Sequence, residues 1–233
     1  MPFALEVWGK TAMFAPPEFG TERYSYPVIT PSAAVGLLRS IYWHHGVIYH
    51  IDAIQVCNPI RRTSIKTNAL SPMKSIKAFE TAINNPKKFA ELPIAIGPNR
   101  AQVISVALRD VRYIIHGHIE IDRKTAKPNM TIRKAQDILT DRIRKGKCWE
   151  QPFLGCREHT AYFKPYEPGY MNFQECCPEF KGTVDFGYML HHIVFDETGK
   201  AEGPKFYRAI MTDGIIPVYK EKDVILSDFS QTQ

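Results

Sequence analysis

Four side chains that can bind a substrate or move a proton follow one another in the sequence: Tyr42, Trp43, His44 and His45. Their phenol, indole and imidazole groups stand where a predicted helix ends, beside an extended segment that leads into that helix. This polar and aromatic cluster is the first candidate site of the chain.

Residues 31–44 form the predicted helix that positions the cluster. Thr30 is a suitable N-cap, and Pro31 stands at the first helical position, where its missing N–H costs nothing. The apolar residues recur at i, i+3, i+4 and i+7: Ala34, Leu37, Leu38 and Ile41. This stripe predicts that one face of the helix packs on a sheet. Gly36 interrupts the helix at about 1 kcal/mol relative to alanine, which is explained by close helix–strand packing or by an outside molecule that approaches there.

The surplus of positive charge lies in one segment of the chain. The whole sequence has 30 basic and 24 acidic residues and a formal net charge of +6. Residues 121–147 contain nine Lys or Arg and three Asp, so the rest of the chain is balanced. A clustered basic face is typical of a protein that binds a polyanion. The alternative is a solvated helix face.

His116 and His118 alternate along a predicted strand over residues 103–121, so both lie on one face of it. Two imidazoles at this spacing can ligate a metal. No third ligand is evident in the sequence. We therefore expect a pair of histidines that lies on the surface or faces RNA, with no metal.

The periodicity predicts the order strand, helix, strand, strand, helix, strand for the first part of the chain. The predicted elements cover residues 2–8, 31–44, 47–57, 103–121, 131–145 and part of 151–165. Two βαβ halves of that kind predict an α+β protein with a ferredoxin-like fold, in which both helices lie on one face of an antiparallel sheet. A break or bulge is expected near Gly117. The second helix has the apolar stripe Ile132, Ala135, Leu139 and Ile143.

Two domains are predicted. Residues 1–165 form the ferredoxin-like domain, with a thumb-like insertion over about 66–100. Residues 166–233 form a small antiparallel β-sheet with a loose tail. The turn signals Thr198-Gly199 and Asp213-Gly214 favour hairpins in this second part.

The composition excludes several classes of protein. The chain has 233 residues, of which 44% are hydrophobic and 23% charged, as in a globular protein. The sequence has no apolar run of about 18 residues and no secretory signal at the N-terminus, so we expect neither a membrane span nor secretion. Five cysteines without a C-x-x-C pair argue against a disulfide framework or a zinc site and favour the cytoplasm. No cofactor is expected.

Five blocks of the sequence resemble, in order and spacing, the CRISPR-associated Cas-five family of subtype I-C. The blocks are SYPVITPSA, GLLRSIYW, NPIRR, ALRDVRY and KGKCWEQPFLGCRE, and they span Ser25 to Glu158. The Asp-Gly hairpin near residues 206–219 also fits. The resemblance implies a ferredoxin-like domain of the RRM-like, RAMP type followed by a small C-terminal sheet.

The resemblance also implies an activity, that of a metal-independent endoribonuclease. Such an enzyme cuts the repeat of precursor CRISPR RNA (crRNA) at the base of its hairpin. The 2′-hydroxyl upstream of the cut attacks the adjacent phosphorus, which leaves a 2′,3′-cyclic phosphate and a 5′-hydroxyl. The protein must orient the 2′-hydroxyl, stabilise the phosphorane charge and protonate the leaving oxygen. The implied partners are precursor and mature crRNA, held by the 5′ handle, and the backbone and large subunits of a surveillance complex.

The family's site uses a tyrosine at the end of the first helix and a Lys-His pair at the start of the second. By resemblance these positions are Tyr42 and Lys134, and the histidine position falls on Ala135, which cannot transfer a proton. A tyrosine with a pKa near 10 is a poor base at pH 7, so we expect Tyr42 to position the 2′-hydroxyl. Four histidines are candidates to replace the missing imidazole: His44, His45, His116 and His118. Lys134 or Arg133 could stabilise charge without one.

The residues predicted to contact RNA are Arg23, Arg61, Arg62, Arg100, Arg123, Lys124, Lys127, Arg133, Arg142, Lys145, Gly155 and Arg157. Arg61 and Arg62 are alternatively ordinary strand-edge charges, and Gly155 is alternatively a tight turn. Two other functions stay open. One is a non-catalytic module that caps the crRNA 5′ end while another nuclease cuts. The other is a duplex-DNA binder that uses the same basic segment without 2′-hydroxyl contacts.

Overall fold

The computed structural model describes residues 2–20, 22–70, 75–92, 100–173, 176–196, 198–218 and 225–226. The strands in these ranges are β1 (Pro2–Ala12), β2 (Arg23–Tyr24), β3 (Val47–Val56), β4 (Arg61–Leu70), β5 (Arg100–Ile121), β6 (Tyr162–Pro165), β7 (Thr183–Phe195), β8 (Ala201–Thr212), β9 (Ile215–Pro217) and β10 (Ile225–Leu226). The helices are α1 (Pro31–Ile41), α2 (Ile76–Asn84), a 3₁₀ helix (Pro86–Glu91) and α3 (Ile132–Arg144).

The strands form an antiparallel sheet in the order β10-β8-β9-β3-β5-β1-β6. β7 pairs with β8, and β2 and β4 pair with β5. In the centre, β1 lies between β5 and β6, and β3 lies between β5 and β9. This sheet with a few helices confirms the predicted α+β class. None of the described helices is long and apolar enough to cross a membrane.

α1 begins and packs as its sequence predicts. The Thr30 hydroxyl accepts a hydrogen bond from the Ala33 N–H at 3.2 Å. The predicted apolar stripe, Ala34, Leu37, Leu38 and Ile41, is buried. The helix ends at Ile41, earlier than the predicted residue 44, because Tyr42 takes an extended conformation with φ −144°.

α3 packs on the same face of the sheet as α1. The Thr131 hydroxyl caps it by accepting from the Lys134 N–H at 3.2 Å. Its buried residues Ala135, Leu139 and Ile143 share one core with the α1 stripe and with inward-facing residues of β1 and β5. Ile132 is 37% exposed, so the predicted stripe is wrong at its first position, where the helix is only beginning.

The opposite face of the sheet, called here the second face, is defined by Glu6, Gln55, His116 and His118. These residues alternate along β1, β3 and β5 with the core residues. His116 and His118 thus share one face, as predicted.

The irregularity expected near Gly117 lies in the neighbouring strand. β5 runs unbroken through Gly117, and the register shift falls between Ile51 and Ala53 of β3. A Cβ on Gly117 would lie 2.3 Å from the His50 carbonyl oxygen. The missing side chain therefore lets the backbone of β3 approach, and the extra residue is accommodated in β3 instead of β5.

The chain divides into two compact units, Met1–Thr63 with Val106–Gln233, and Ser64–Ser105. The second unit contains α2, the 3₁₀ helix and the adjoining ends of β4 and β5. Within it Ala82 is buried, while Ile76 and Ile83 are exposed. The boundary predicted at residue 165 lies inside the first unit, since β9 pairs with β3. The predicted loose tail, 227–233, lies outside the described residues.

Candidate functional site

Tyr42 is the residue at which α1 ends. Its N–H donates to the Leu38 carbonyl at 2.9 Å, and its own carbonyl accepts from the Tyr49 hydroxyl at 2.6 Å. The side chain is only 5% exposed. Its hydroxyl has no hydrogen-bond partner among the described residues. Buried polar groups are normally paired, so this phenol is an exception, and such exceptions commonly have a functional role.

Arg142, on the last turns of α3, holds the end of α1. Its guanidinium donates to the Ile41 carbonyl at 3.0 Å and lies 5.5 Å from the centre of the Tyr42 ring. Burial raises the pKa of the Tyr42 phenol, and the positive charge of Arg142 opposes that rise only in part. The phenol is therefore protonated at neutral pH and acts as a donor, not as a base.

Lys134 lies elsewhere on α3. It precedes Arg142 by eight residues, which corresponds to about 12 Å along a helix axis. Its side chain is exposed, and within the described part of the chain it makes no hydrogen bond to Tyr42. The structure thus brings Arg142 to Tyr42, and Lys134 stands on the exposed surface of the same helix.

Ala135 faces the core. It is fully buried and packs in the cluster that contains Leu139 and Ile143. A histidine at this position would direct its imidazole into an apolar interior, where RNA could not reach it. Ala135, to which the resemblance assigns the family's histidine position, is therefore a packing residue in this chain.

Among the four candidate histidines, His44 is the one placed at the Tyr42 side chain. The two rings are 6.5 Å apart, and His44 is half-buried. Its Nδ1 lies 2.9 Å from the carbonyl oxygen of His45, which can only accept, so Nδ1 carries a proton and Nε2 is the ring nitrogen that can accept one. His45 instead packs on Trp43, with ring centres 4.7 Å apart.

His116 and His118 stand on the second face of the sheet, away from the face covered by α1 and α3. His116 is fully buried and accepts a hydrogen bond from the Met171 N–H at 3.0 Å, so the expectation that it lies on the surface is wrong. Burial lowers its pKa to about 4. His118 is half-buried, bonds Asp52 at 2.9 Å and stacks on His50. Neither histidine reaches the end of α1.

Two exposed tryptophans flank the end of α1. Trp43 is 54% exposed, and Trp149 is 76% exposed. The backbone N–H of Trp149 donates to the Ser40 carbonyl at 2.8 Å. Exposed indoles beside cationic side chains can stack on nucleic-acid bases. Trp149 was missed from the sequence because it is distant from Ser40 along the chain, although it stands inside the KGKCWEQPFLGCRE block.

The predicted basic face is present on α3 and on the loop before it. These side chains are exposed: Arg123, Lys124, Lys127, Arg133, Lys134 and Lys145. Lys145 is partly neutralised, since its ammonium lies 2.7 Å from the Asp141 carboxylate. The other five have no described ion pair, which leaves their charge available to a polyanion.

The remaining predicted RNA contacts lie in separate places. Arg62 lies over the Tyr24 ring at 5.2 Å, next to Arg23, which pairs loosely with Glu158 at 4.0 Å. Arg61 is exposed at the start of β4, Arg157 is exposed near Glu150 at 3.8 Å, and Arg100 belongs to the Ser64–Ser105 unit.

Gly155 is required by local packing. Its φ is +85°, and a Cβ there would lie 1.8 Å from the Met13 carbonyl oxygen. The tight-turn interpretation therefore accounts for this glycine.

A shallow groove of about 310 Å³ runs along α1. Gly36, Ser40, Phe153 and Cys156 contribute to its lining. A Cβ on Gly36 would meet nothing within 4 Å. The expectation of close helix–strand packing at Gly36 is therefore wrong, and the helix is open to solvent there. No group of three or more potential metal ligands occurs in the described part of the chain.

Comparison with known proteins gives consistent matches over nearly the whole chain. A family model described as CRISPR-associated protein (Cas_Cas5) matches residues 3–219. A protein of Mannheimia succiniciproducens named CRISPR pre-crRNA endoribonuclease Cas5d is 34% identical over 94% of this chain and 96% of its own length. A protein of the same name from Thermus thermophilus is 30% identical over 94% of this chain and 91% of its own. A solved structure titled as a CRISPR-associated protein has the same fold, with a TM-score of 0.68 at 20% identity over 97% and 95% of the two chains.

Proposed function

The chain belongs to the CRISPR-associated Cas5 family, and from that membership we propose that it is a metal-independent endoribonuclease that cuts precursor crRNA. The proposal includes the subtype I-C assignment and a cut at the hairpin base that leaves a 2′,3′-cyclic phosphate. The observation that carries it is the buried phenol of Tyr42 beside the Arg142 guanidinium, whose hydroxyl finds no hydrogen-bond partner within the part of the chain that the structure describes.

In the proposed reaction Tyr42 donates a hydrogen bond and so orients the attacking 2′-hydroxyl. Arg142 turns toward the phosphate and stabilises the charge that develops on the phosphorane. This movement also uncovers the phenol, because the guanidinium lies over the ring.

His44 supplies the imidazole in place of Ala135. Its Nε2 accepts the proton of the 2′-hydroxyl as a general base, and the resulting imidazolium passes a proton, directly or through water, to the leaving 5′-oxygen, so the ring returns to its starting state. Lys134 holds a neighbouring phosphate from the exposed face of α3.

RNA is held mainly by charge and stacking. The exposed cations of α3 and its preceding loop neutralise phosphates, and Trp43 and Trp149 stack on unpaired bases near the cut. Arg23 and Arg62 add contacts at β2, and Arg61 and Arg157 lie at the margins of this surface. Arg100, which belongs to the Ser64–Ser105 unit, is proposed as a further phosphate contact.

We also propose a ferredoxin-like first domain. The order β3-β5-β1-β6 supports it, because it is the strand order of two interlocked split βαβ units with helices α1 and α3 on one face. The second unit, Ser64–Ser105, is proposed as the thumb-like insertion. Residues 166–233 are proposed as the small C-terminal sheet, which joins the sheet of the first domain where β9 pairs with β3.

After the cut the protein is proposed to stay on the crRNA 5′ handle in the cytoplasm, as a subunit of a type I-C surveillance complex with backbone and large subunits. The non-catalytic capping module and the duplex-DNA binder remain the competing functions.

The decisive experiment incubates the purified protein with a labelled cognate repeat RNA in EDTA. We expect one cut at the hairpin base, and no cut when the nucleotide 5′ to the cut carries a 2′-deoxy sugar. Activity that disappears on chelation would contradict the metal-free reaction. Tight binding without cutting would identify a capping module, and equal binding of duplex DNA would favour the third function.

Matched variants separate the roles within the site. His44→Gln and Arg142→Lys are expected to slow cutting by about 100-fold, the order of a lost proton carrier or bidentate cation. Lys134→Ala is expected to weaken binding and to lower the dependence of log Kd on log salt by about one. His45→Gln is the control, and a loss as large as that of His44→Gln would refute the assignment of His44.

A further inference from the structure

The second face of the sheet carries an aromatic pair that the proposed cutting reaction does not use. Trp8 of β1 is registered with Tyr162 of β6, and their rings are stacked with centres 6.0 Å apart and planes 24° from parallel. Tyr162 is 55% exposed. An exposed tyrosine ordered by a second ring is a platform on which a flat ligand can stack.

Two cations are held beside this platform by a buried carboxylate. Glu6 is 6% exposed at its side chain and pairs with Arg112 at 2.8 Å and with Lys164 at 3.1 Å. Lys164 also lies over the Trp8 ring at 5.7 Å. Burial of Glu6 alone would raise its pKa, but hydrogen bonds from Arg112 and Lys164 lower it overall, so the carboxylate is charged at neutral pH.

A buried ion pair is weak evidence for stability, because apolar residues of the same volume commonly serve as well. The Glu6 carboxylate has a clearer role, which is to hold the Arg112 and Lys164 cations next to each other at the surface. Arg112 and Lys164 both lie within 3.1 Å of the Glu6 carboxylate, and without it their positive charges would repel each other.

The platform adjoins an open groove of about 410 Å³. Trp8, Lys10, Asn58, Asp110 and Lys164 contribute to its lining. Asn58 donates to the Asp110 carbonyl at 2.7 Å, which fixes the turn around Asp110, where φ is +52°. The groove therefore combines ammonium groups for a phosphate with carboxylate and amide oxygens that can accept from a sugar hydroxyl.

We propose that this surface, formed by Trp8, Lys10, Asp110, Tyr162 and Lys164, is a second RNA-binding site that takes an unpaired nucleotide segment. A base stacks on Tyr162 and extends the Trp8–Tyr162 stack, its phosphate lies at Lys164 and Lys10, and the Asp110 carboxylate accepts from the 2′-hydroxyl. The choice of RNA over a protein follows from the flat aromatic surface flanked by cations. The choice of RNA over DNA follows from the exposed Asp110 carboxylate, which lies 4.0 Å from Arg109 and can accept from a 2′-hydroxyl.

This site is distinct from the candidate cutting site, because Trp8 and Tyr162 stand on the second face while Tyr42 and Arg142 stand with α1 and α3. The assignment of RNA as the ligand rests on the proposed function. The consequence is that a single-stranded segment next to the hairpin can be bound on one face of the sheet while the hairpin is cut on the other.

The test uses the fluorescence of Trp8. The chain has three tryptophans, so Trp43→Phe combined with Trp149→Phe leaves Trp8 as the reporter. The probe is a 12-nucleotide oligo(U), which has no hairpin. We expect it to quench Trp8, with a Kd that rises about 10-fold in Tyr162→Ser, since loss of one base stack corresponds to about 1.4 kcal/mol. Tyr162→Phe keeps the ring and should stay within about twofold.

Each outcome decides the matter. No quenching by oligo(U), or equal Kd values for Tyr162→Ser and Tyr162→Phe with both variants folded by circular dichroism, would overturn the site. Oligo(dT) that binds as tightly as oligo(U) would overturn the choice of RNA. A repeat hairpin that is cut while Trp8 is silent would leave the cutting function standing without this site. Cutting is measured on the wild-type protein, because Trp43 and Trp149 belong to the proposed surface at the cut. Quenching of Trp8 in the reporter variant, while the wild-type protein cuts no hairpin, would leave this site standing without the cutting function.

Discussion

Replacing Tyr42 by phenylalanine is expected to separate stability from cutting. The hydroxyl is buried and has no partner among the described residues, while the ring is held by Arg142. A buried unpaired hydroxyl destabilises a folded protein by about 1–3 kcal/mol. Phenylalanine keeps the ring and removes that penalty. Tyr42→Phe should therefore raise the free energy of unfolding by about 1 kcal/mol and Tm by about 2–4 °C, as expected for a domain of this size.

The same change removes the group proposed to orient the 2′-hydroxyl. Loss of one such donor slows a reaction by about 10²–10³. The single-turnover rate at saturating protein should fall by that factor, while the Kd for the repeat RNA, measured by filter binding, should change less than about threefold. Thermal unfolding by calorimetry, run on the same preparations, gives the stability.

Tyr49→Phe is the matched control for this prediction. Its hydroxyl donates to the Tyr42 carbonyl at 2.6 Å, so its removal leaves a buried carbonyl unpaired and should destabilise the protein by about 1–3 kcal/mol. A loss of Tm in Tyr42→Phe as large as in Tyr49→Phe would mean that the Tyr42 phenol has a stabilising partner. An unchanged cutting rate would remove Tyr42 from the site.

Four further substitutions test other parts of the structure. Ala135→His should lower the free energy of unfolding in urea by about 2 kcal/mol or more and restore no activity, because the position is fully buried; faster cutting would contradict this. Gly155→Ala should destabilise by more than 1 kcal/mol, since its Cβ would meet the Met13 carbonyl. Gly36→Ala should stabilise α1 by about 1 kcal/mol, because nothing lies within 4 Å, and a destabilised Gly36→Ala would count against the open groove. Burial lowers the pKa of His116 to about 4 in the folded protein, below the value of about 6.5 of an unfolded histidine. The stability that comes from holding this ring neutral is therefore complete above pH 6.5 and is lost as the pH falls toward 4. His116→Asn should reduce that acid-dependent loss by about 3 kcal/mol in urea unfolding at pH 4 and 7; an identical pH profile would refute it.

The helices were predictable because their signals are local. Thr30 and Thr131 cap α1 and α3 through contacts three residues away, and the buried stripes follow the helical period. Ile132 follows the helical period and is nevertheless exposed. The period predicts which face of a helix is apolar, but it does not predict where along its length the helix contacts the sheet. The signals that predict strands are equally local. The strand-like segment predicted over Thr183–Phe195 is β7.

The pairing at the candidate site was not predictable from local signals. Arg142 and Ile41 are far apart in the chain and meet only because α1 and α3 cross on one face of the sheet. Sequence patterns place Arg142 on a basic helix face but cannot give the angle at which two helices cross. The burial of His116 was not predictable for a similar reason. It depends on the backbone of Met171, which lies outside β5.

The pairing of β9 with β3 has a consequence for how the protein is made. Ala53–Gln55 bond Ile215–Pro217, so one edge of the central strand is covered by residues synthesised much later. At about 5–20 residues per second, this edge of the nascent chain stays open for about 10–30 s. An uncovered strand edge is a template for pairing with other chains. Folding of this protein is therefore expected to be slow, to finish only after β9 has left the ribosome, and to be sensitive to aggregation at high rates of expression.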